Sequence, residues 1–204
     1  MAIGGAIAAA TRQEPPGVLL AYIKVVGEDE ADGKLFEIYD EIQRNRGRVS
    51  NILRVQSLNP KALRAHLDLY MATVFGKGGL SRREAELLAV VVSAANGDHY
   101  CLTHHSEGLD RHARDPDWVK AVAKDAAKAK LNEREAALVH YALGLTKDPG
   151  KGRKEAVAAL KARGFIDEQV LQATEIVAYF NFVNRLSLGL GADLEPEGER
   201  DYHY

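Results

Sequence analysis

The sequence predicts an all-α protein of about eight or nine helices around a central helix pair. Three observations carry this. Apolar residues recur at helical spacing through most of the chain, as in Leu35, Ile38, Tyr39 and Ile42. Helix-start signals are frequent: Asn59-Pro60, Ser81 with Glu84, Asp115-Pro116 and Asn132. The one stretch with strand character, LLAYIKVV, has no second strand pattern near it to pair with, so it is expected as extended coil.

Residues 1–16 are expected as a mobile, Ala-rich arm, 17–194 as a single helical domain and 195–204 as a polar C-terminal tail. The first helix should run from Glu30 to Arg46, with Gly47 ending it, and Ser50 to Ser57 forms a short apolar helix. Asn59 caps a helix that carries Leu63, His66, Leu67, Tyr70, Met71 and Val74. The capping box at Ser81 opens a helix to about Ala95 that is apolar on nearly every face, as a buried central helix is. Asn96-Gly97 breaks it, and Asp98 should cap the next helix. Further helices start at Asp115-Pro116, Asn132 and Lys154, and Asp167 caps a last long one to about Leu188. LSRREAELL at Leu80 is echoed by LNEREAALV at Leu131. Two copies of one helical unit, packed about a pseudo-axis, would produce this. Chance recurrence of helix-start signals would also produce it.

With 204 residues, 46% apolar and 27% charged, the chain has an ordinary globular balance. A net charge of −2 with both signs mixed offers neither a nucleic-acid face nor a basic membrane patch. No apolar run approaches the roughly 20 residues that a membrane span needs. The start MAIGGAIAAA lacks the charged beginning and length of a secretory signal. A single cysteine excludes an internal disulfide and fits a reducing, cytoplasmic setting.

Chemistry concentrates between Leu80 and His112. Glu86 is a carboxylate inside an apolar run, costly unless paired or protonated. Cys101 falls in the first turn of the helix after Asp98. Helix dipole and free N–H groups there favour thiolate and can lower a thiol pKa from about 8.5 into roughly 3.5 to 7.5. His105 lies one turn beyond Cys101 on the same face. Carboxylate, imidazole and thiol at a helix junction are the parts of a relay that activates a nucleophile. Each part also has a plainer role. Cys101 fits as a small buried hydrophobe, His105 as a satisfied core histidine, and Glu86 as a structural ion-pair partner. The histidine spacing matches no common zinc pattern, so no metal and no cofactor are expected. Asp98, Tyr100, His104, Asn181 and Asn184 are candidates to line the site, while His66, His112 and His140 are expected to be structural or on the surface.

These residues resemble the alkylhydroperoxidase D (AhpD) and carboxymuconolactone decarboxylase family, and more closely its peroxidase-related branch. The family core is a Glu, then Cys-x-x-Cys, then His, on two adjoining helices. Glu86 matches the Glu, Cys101 the second Cys and His105 the His. The flanks RREAELLAVVVSAANG and YCLTHH, and the later run VAYFNFVNRLSLGLG, are also similar to that branch. Asp98 stands where the first Cys would be, and Tyr100 where AhpD has a further histidine. The resemblance implies a homo-oligomer, a dimer or a hexamer, and reduction of small hydroperoxides by Cys101, His105 and Glu86. With Asp98 in place of a partner thiol, an external thiol reductant would be needed. The decarboxylase side of the family implies an alternative, acid–base chemistry on a small lactone acid. A binding protein that has lost the chemistry is the third possibility.

Overall fold

A computed structural model describes residues 21–196, and the N-terminal arm and the end of the tail lie outside the described residues. These residues form nine α-helices: α1 (Gly33–Arg46), α2 (Asn51–Arg54), α3 (Pro60–Val74), α4 (Arg82–Asn96), α5 (His99–Ala113), α6 (Pro116–Asp125), α7 (Glu133–Lys147), α8 (Arg153–Ala162) and α9 (Asp167–Leu190). Among the described residues there is no strand, and residues 21–26, the described part of LLAYIKVV, are non-helical, as expected of that stretch. None of these helices is long and apolar enough to cross a membrane.

Most helix starts are fixed locally. The Asn59 side chain accepts from Ala62 N, Asp115 from Trp118 N, and Ser81 and Asn132 form full capping boxes with Glu84 and Glu135. Two expected caps are not caps. Asp98 holds the N-cap position of α5, but its carboxylate makes no capping hydrogen bond. Asp167 is the first residue of α9, whose start is instead tied by the Gln169 side chain accepting from Ile166 N. Helix α1 begins three residues later than expected, at Gly33, and α2 shrinks to four residues.

Helix α4 is the axis of the fold, packed by α5, α6, α7 and α9. Leu87, Leu88, Ala89, Val90, Val91 and Val92 are consecutive and all buried, so every face of the helix meets protein. The larger apolar core surrounds this segment and takes in Leu109, Leu138, Leu160, Ile176 and Phe180. A smaller core joins α1, α2 and α3 through Leu35, Ile38, Ile42, Leu53 and Leu63. Ile52 of α2 packs against both. The turn from α3 into α4 is pinned to α9 by buried Gln172, whose amide donates to Thr73 O and Gly76 O and accepts from Leu80 N. Gly97, at φ +71°, turns the chain from α4 into α5 in a conformation that favours glycine.

The sequence echo is a structural repeat of the starts of α4 and α7. Arg83 donates to Glu135 at 2.9 Å, and its counterpart Arg134 donates to Glu84 at 2.6 Å. The two bonds are reciprocal, as a two-fold relation between the copies requires. Each arginine also lies over an aromatic ring, Arg83 over Trp118 and Arg134 over Phe165.

Candidate active site

Helices α4 and α5 bring Glu86, Cys101 and His105 to one place. Glu86 is 3% exposed and fully bonded. Its Oε2 lies 2.7 Å from His105 Nδ1, and its Oε1 accepts from Arg82 Nη2 at 2.5 Å. Burial opposes ionisation of Glu86, but His105 and Arg82 outweigh it and hold the carboxyl below its ordinary range. An ionised carboxylate only accepts, so His105 carries its proton on Nδ1 and Nε2 is the basic nitrogen. The ring is also held by Phe180, edge-on at 4.6 Å between centroids. Gly108 leaves room for this pair: a methyl group there would come within 3.0 Å of the Glu86 carboxyl. Arg82 was not foreseen. It spans Glu86, Val74 O and the face of Phe75, one turn before Glu86 on the same helix.

Cys101 does not have the low-pKa environment its helix position suggests. It is 4% exposed, and burial pushes the thiol well above its ordinary value, with the Asp98 carboxylate adding to the effect. The helix N-terminus cannot offset a buried neighbouring negative charge. Asp98 itself is bound from α9: Asn184 Nδ2 donates to Oδ2 at 2.8 Å and Ser187 Oγ to Oδ1 at 2.9 Å. Asn184 donates also to Ser93 Oγ of α4. This buried network explains why Asp98 gives no cap.

Cys101, His105, Tyr100 and His104 all line one cavity of about 60 Å³, with Arg46, Ser50, Ile52, Leu53, His66 and Tyr179 among its other walls. Asp98 is not among the lining residues, and neither is Asn181, whose amide bonds Thr146 Oγ1, Val177 O and Asn96 instead. His66, expected to be structural or on the surface, is a buried wall residue. Gln56 Nε2 donates to its Nδ1, so its Nε2–H faces the Tyr179 hydroxyl at 2.7 Å. Burial holds its pKa down to about 4.

The largest surprise is Glu195, which sequence reasoning left in the tail. It is buried, and its carboxylate receives Asn51 N at 2.6 Å, the Tyr100 hydroxyl at 2.8 Å and His104 Nε2 at 2.8 Å. Burial opposes its ionisation, but His104 and Asn51 N outweigh it and bring its pKa down to about 2. Consecutive histidines on α5 therefore serve two different carboxylates. Among the described residues no group of three or more His, Cys, Asp or Glu is placed to hold a metal ion.

Comparisons with known proteins fit this picture. Residues 60–144 match the model of the Carboxymuconolactone decarboxylase family. A crystal structure described as an alkylhydroperoxidase AhpD core, an uncharacterized peroxidase-related protein from Ralstonia eutropha JMP134, superposes with a TM-score of 0.79 at 26% identity, covering 87% of this chain and 93% of that one. An uncharacterized peroxidase-related protein from Silicibacter sp. TM1040 gives 0.75 at 25% identity, covering 82% and 89%. The debrominase Bmp8 shares the fold, with a TM-score of 0.69 at 23% identity over 84% of this chain and 91% of that one. A search of curated proteins gives no match. The segment from α3 into α7 thus matches the carboxymuconolactone decarboxylase family, and the fold is that of AhpD-like, peroxidase-related proteins.

Proposed function

We propose that this protein reduces small hydroperoxides through a single cysteine, with Cys101 as nucleophile, His105 as base and Glu86 as the group that orients His105. The observation that carries this reading is that Cys101 and His105 line the same small cavity while Glu86 occupies His105 Nδ1, which leaves Nε2 to act. The cavity is small, about 60 Å³, which suits a small substrate. Fold alone selects no reaction, since a debrominase shares it, so the reading rests on these residues.

His105 Nε2 takes the thiol proton as sulfur attacks the distal peroxide oxygen. The O–O bond breaks, the sulfur becomes a sulfenic acid, and the departing alkoxide takes the proton back from His105. Two external thiols then restore Cys101. The first displaces the hydroxyl as water and forms a mixed disulfide, and the second releases the cysteine. The chain contains no other cysteine to resolve the intermediate internally. A reducing, cytoplasmic setting suits this cycle. Exposed Leu69 of α3 and Leu171, Phe182 and Leu188 of α9 support assembly into a homo-oligomer.

The raised thiol pKa means that Cys101 rests protonated and ionises only as its proton leaves, which makes the reaction slow. The same observation favours a second reading. The histidine–carboxylate pairs could perform acid–base chemistry on a small acid, with Arg46 as counter-charge and Cys101 only packed.

Limiting peroxide with a sulfenic-acid trap, read by intact mass across pH, separates the two. The first reading expects one trapped adduct on Cys101, abolished in His105→Ala and formed at lower pH in Asp98→Asn, which removes the opposing charge. An inert Cys101 at every pH ends that reading, and small lactone acids then become the substrates to assay.

A further inference from the structure

The walls of the Cys101 cavity come from separate parts of the chain. Ser50, Ile52 and Leu53 belong to α2 and the turn before it, while Tyr100, Cys101, His104 and His105 belong to α5. Helix α2 has only four residues and little hold of its own. What ties it to α5 is chiefly a residue outside both. Glu195 Oε1 accepts from Asn51 N, the first N–H of α2, and from the Tyr100 hydroxyl of α5. Its Oε2 meets His104 Nε2 of α5. The Tyr100 hydroxyl in turn accepts from Ile52 N at 3.3 Å. The segment carrying Glu195 is itself held to α2, because Asn51 Nδ2 donates to Asp193 O at 2.9 Å. Glu195 does not line the cavity; it stands behind the seam between two of its walls.

We infer that Glu195 is a positioning residue that closes the seam between α2 and α5, so that the segment after α9 sets how large a molecule can reach Cys101. The carboxylate is held ionised, at about 2, so the seam stays closed at neutral pH. The inference concerns access to the thiol and stands whichever reaction the cavity performs.

Because Cys101 is the only cysteine, thiol-reactive probes report on it alone. Methyl methanethiosulfonate serves as the small probe and 5,5′-dithiobis(2-nitrobenzoate) as the bulky one, on the full chain at constant pH. The ratio of bulky to small rate is the readout, since a change in thiol ionisation moves both rates together. Glu195→Ala should raise that ratio about tenfold, the opening favoured by loss of a hydrogen bond to a charged group. Tyr100→Phe, which keeps the ring and deletes the bridging hydroxyl, should raise it by a smaller factor. Glu195→Gln should largely restore the wild-type ratio, because its carbonyl still accepts from Asn51 N and Tyr100. It should also turn His104 from the Nε2–H to the Nδ1–H tautomer, visible in imidazole nitrogen shifts, because the amide now donates to Nε2. Glu135→Gln removes a buried carboxylate that does not line the cavity and controls for general loosening.

An unchanged ratio in both Glu195→Ala and Tyr100→Phe overturns the inference, and so does an equal rise in Glu135→Gln. If Glu195→Ala does not fold, Tyr100→Phe decides alone.

Discussion

The starts of α4 and α7 share one design and differ in charge at two positions. Both open with a capping box, both send an arginine to the other's glutamate, and both arginines lie over an aromatic ring. Where α4 has Arg82 and Glu86, α7 has Glu133 and Ala137. The shared residues are those that assemble the two copies. The divergent pair is the one that reaches His105 and the Phe75 ring. Since α7 forms and packs without them, Glu86 and Arg82 are not needed to make this kind of helix. Their place in α4 is explained by what they hold.

The comparison is broken most severely by Glu86→Ala, which gives α4 the residue of α7 at that position. Turnover should fall about 10²- to 10⁴-fold, the range for loss of a working acid–base group, and the trapping assay measures it. Retained turnover would mean that the divergence between the copies is only structural.

A pH titration of stability tests the site's outer wall on α3, which belongs to neither copy. Burial holds His66 at about 4 against an ordinary 6.5. The folded protein therefore binds fewer protons there than the unfolded chain does between these values. His66's contribution is complete above about pH 6.5 and is lost as pH falls toward 4. The full swing is about 3 kcal/mol, at roughly 1.4 kcal/mol per unit. Urea melts at pH 7 and pH 4.5 should show a loss in the wild type that shrinks in His66→Gln. Glu195 acts in a lower window. Its contribution is present above the ordinary carboxylate range and is lost as pH falls from there toward 2.

The reciprocal bonds predict equality. Arg83→Ala and Arg134→Ala should each cost about 1 kcal/mol, since the arginines are partly exposed. Denaturant midpoints that differ strongly between the two would show that the copies share the geometry and not the energetics. The smallest effect is expected from the reverse exchange. Ala137→Glu places a carboxylate four residues after Glu133 and should destabilise by a few tenths of a kcal/mol. Adding Glu133→Arg should recover about as much, because opposite charges at this spacing attract.

What the sequence disclosed follows from distance along the chain. Ser81, Asn59, Asp115 and Asn132 bond within three residues, so their roles are written locally. Glu86 was conspicuous as a carboxylate among apolar residues. Asp98 was misjudged because its partners, Asn184 and Ser187, lie on α9, far along the chain. The same network reverses the expected effect of helix position on Cys101. Glu195 was missed because a glutamate beside a proline in a polar stretch carries no local mark of burial. The nearest hint was Tyr100-x-x-x-His104, two polar rings one turn apart and in need of a partner.

His104 and His105 are adjacent on α5, yet each is bonded to a different carboxylate. Successive helical residues point about 100° apart, so the helix is gripped from two azimuths. It can neither roll nor slide without stretching one of the two bonds. A single residue inserted between Cys101 and His104 would rotate both imidazoles away from their carboxylates together. Glu86 and Glu195 thus act as opposed set-screws on one shaft, and they set the angular position at which Cys101 meets the cavity.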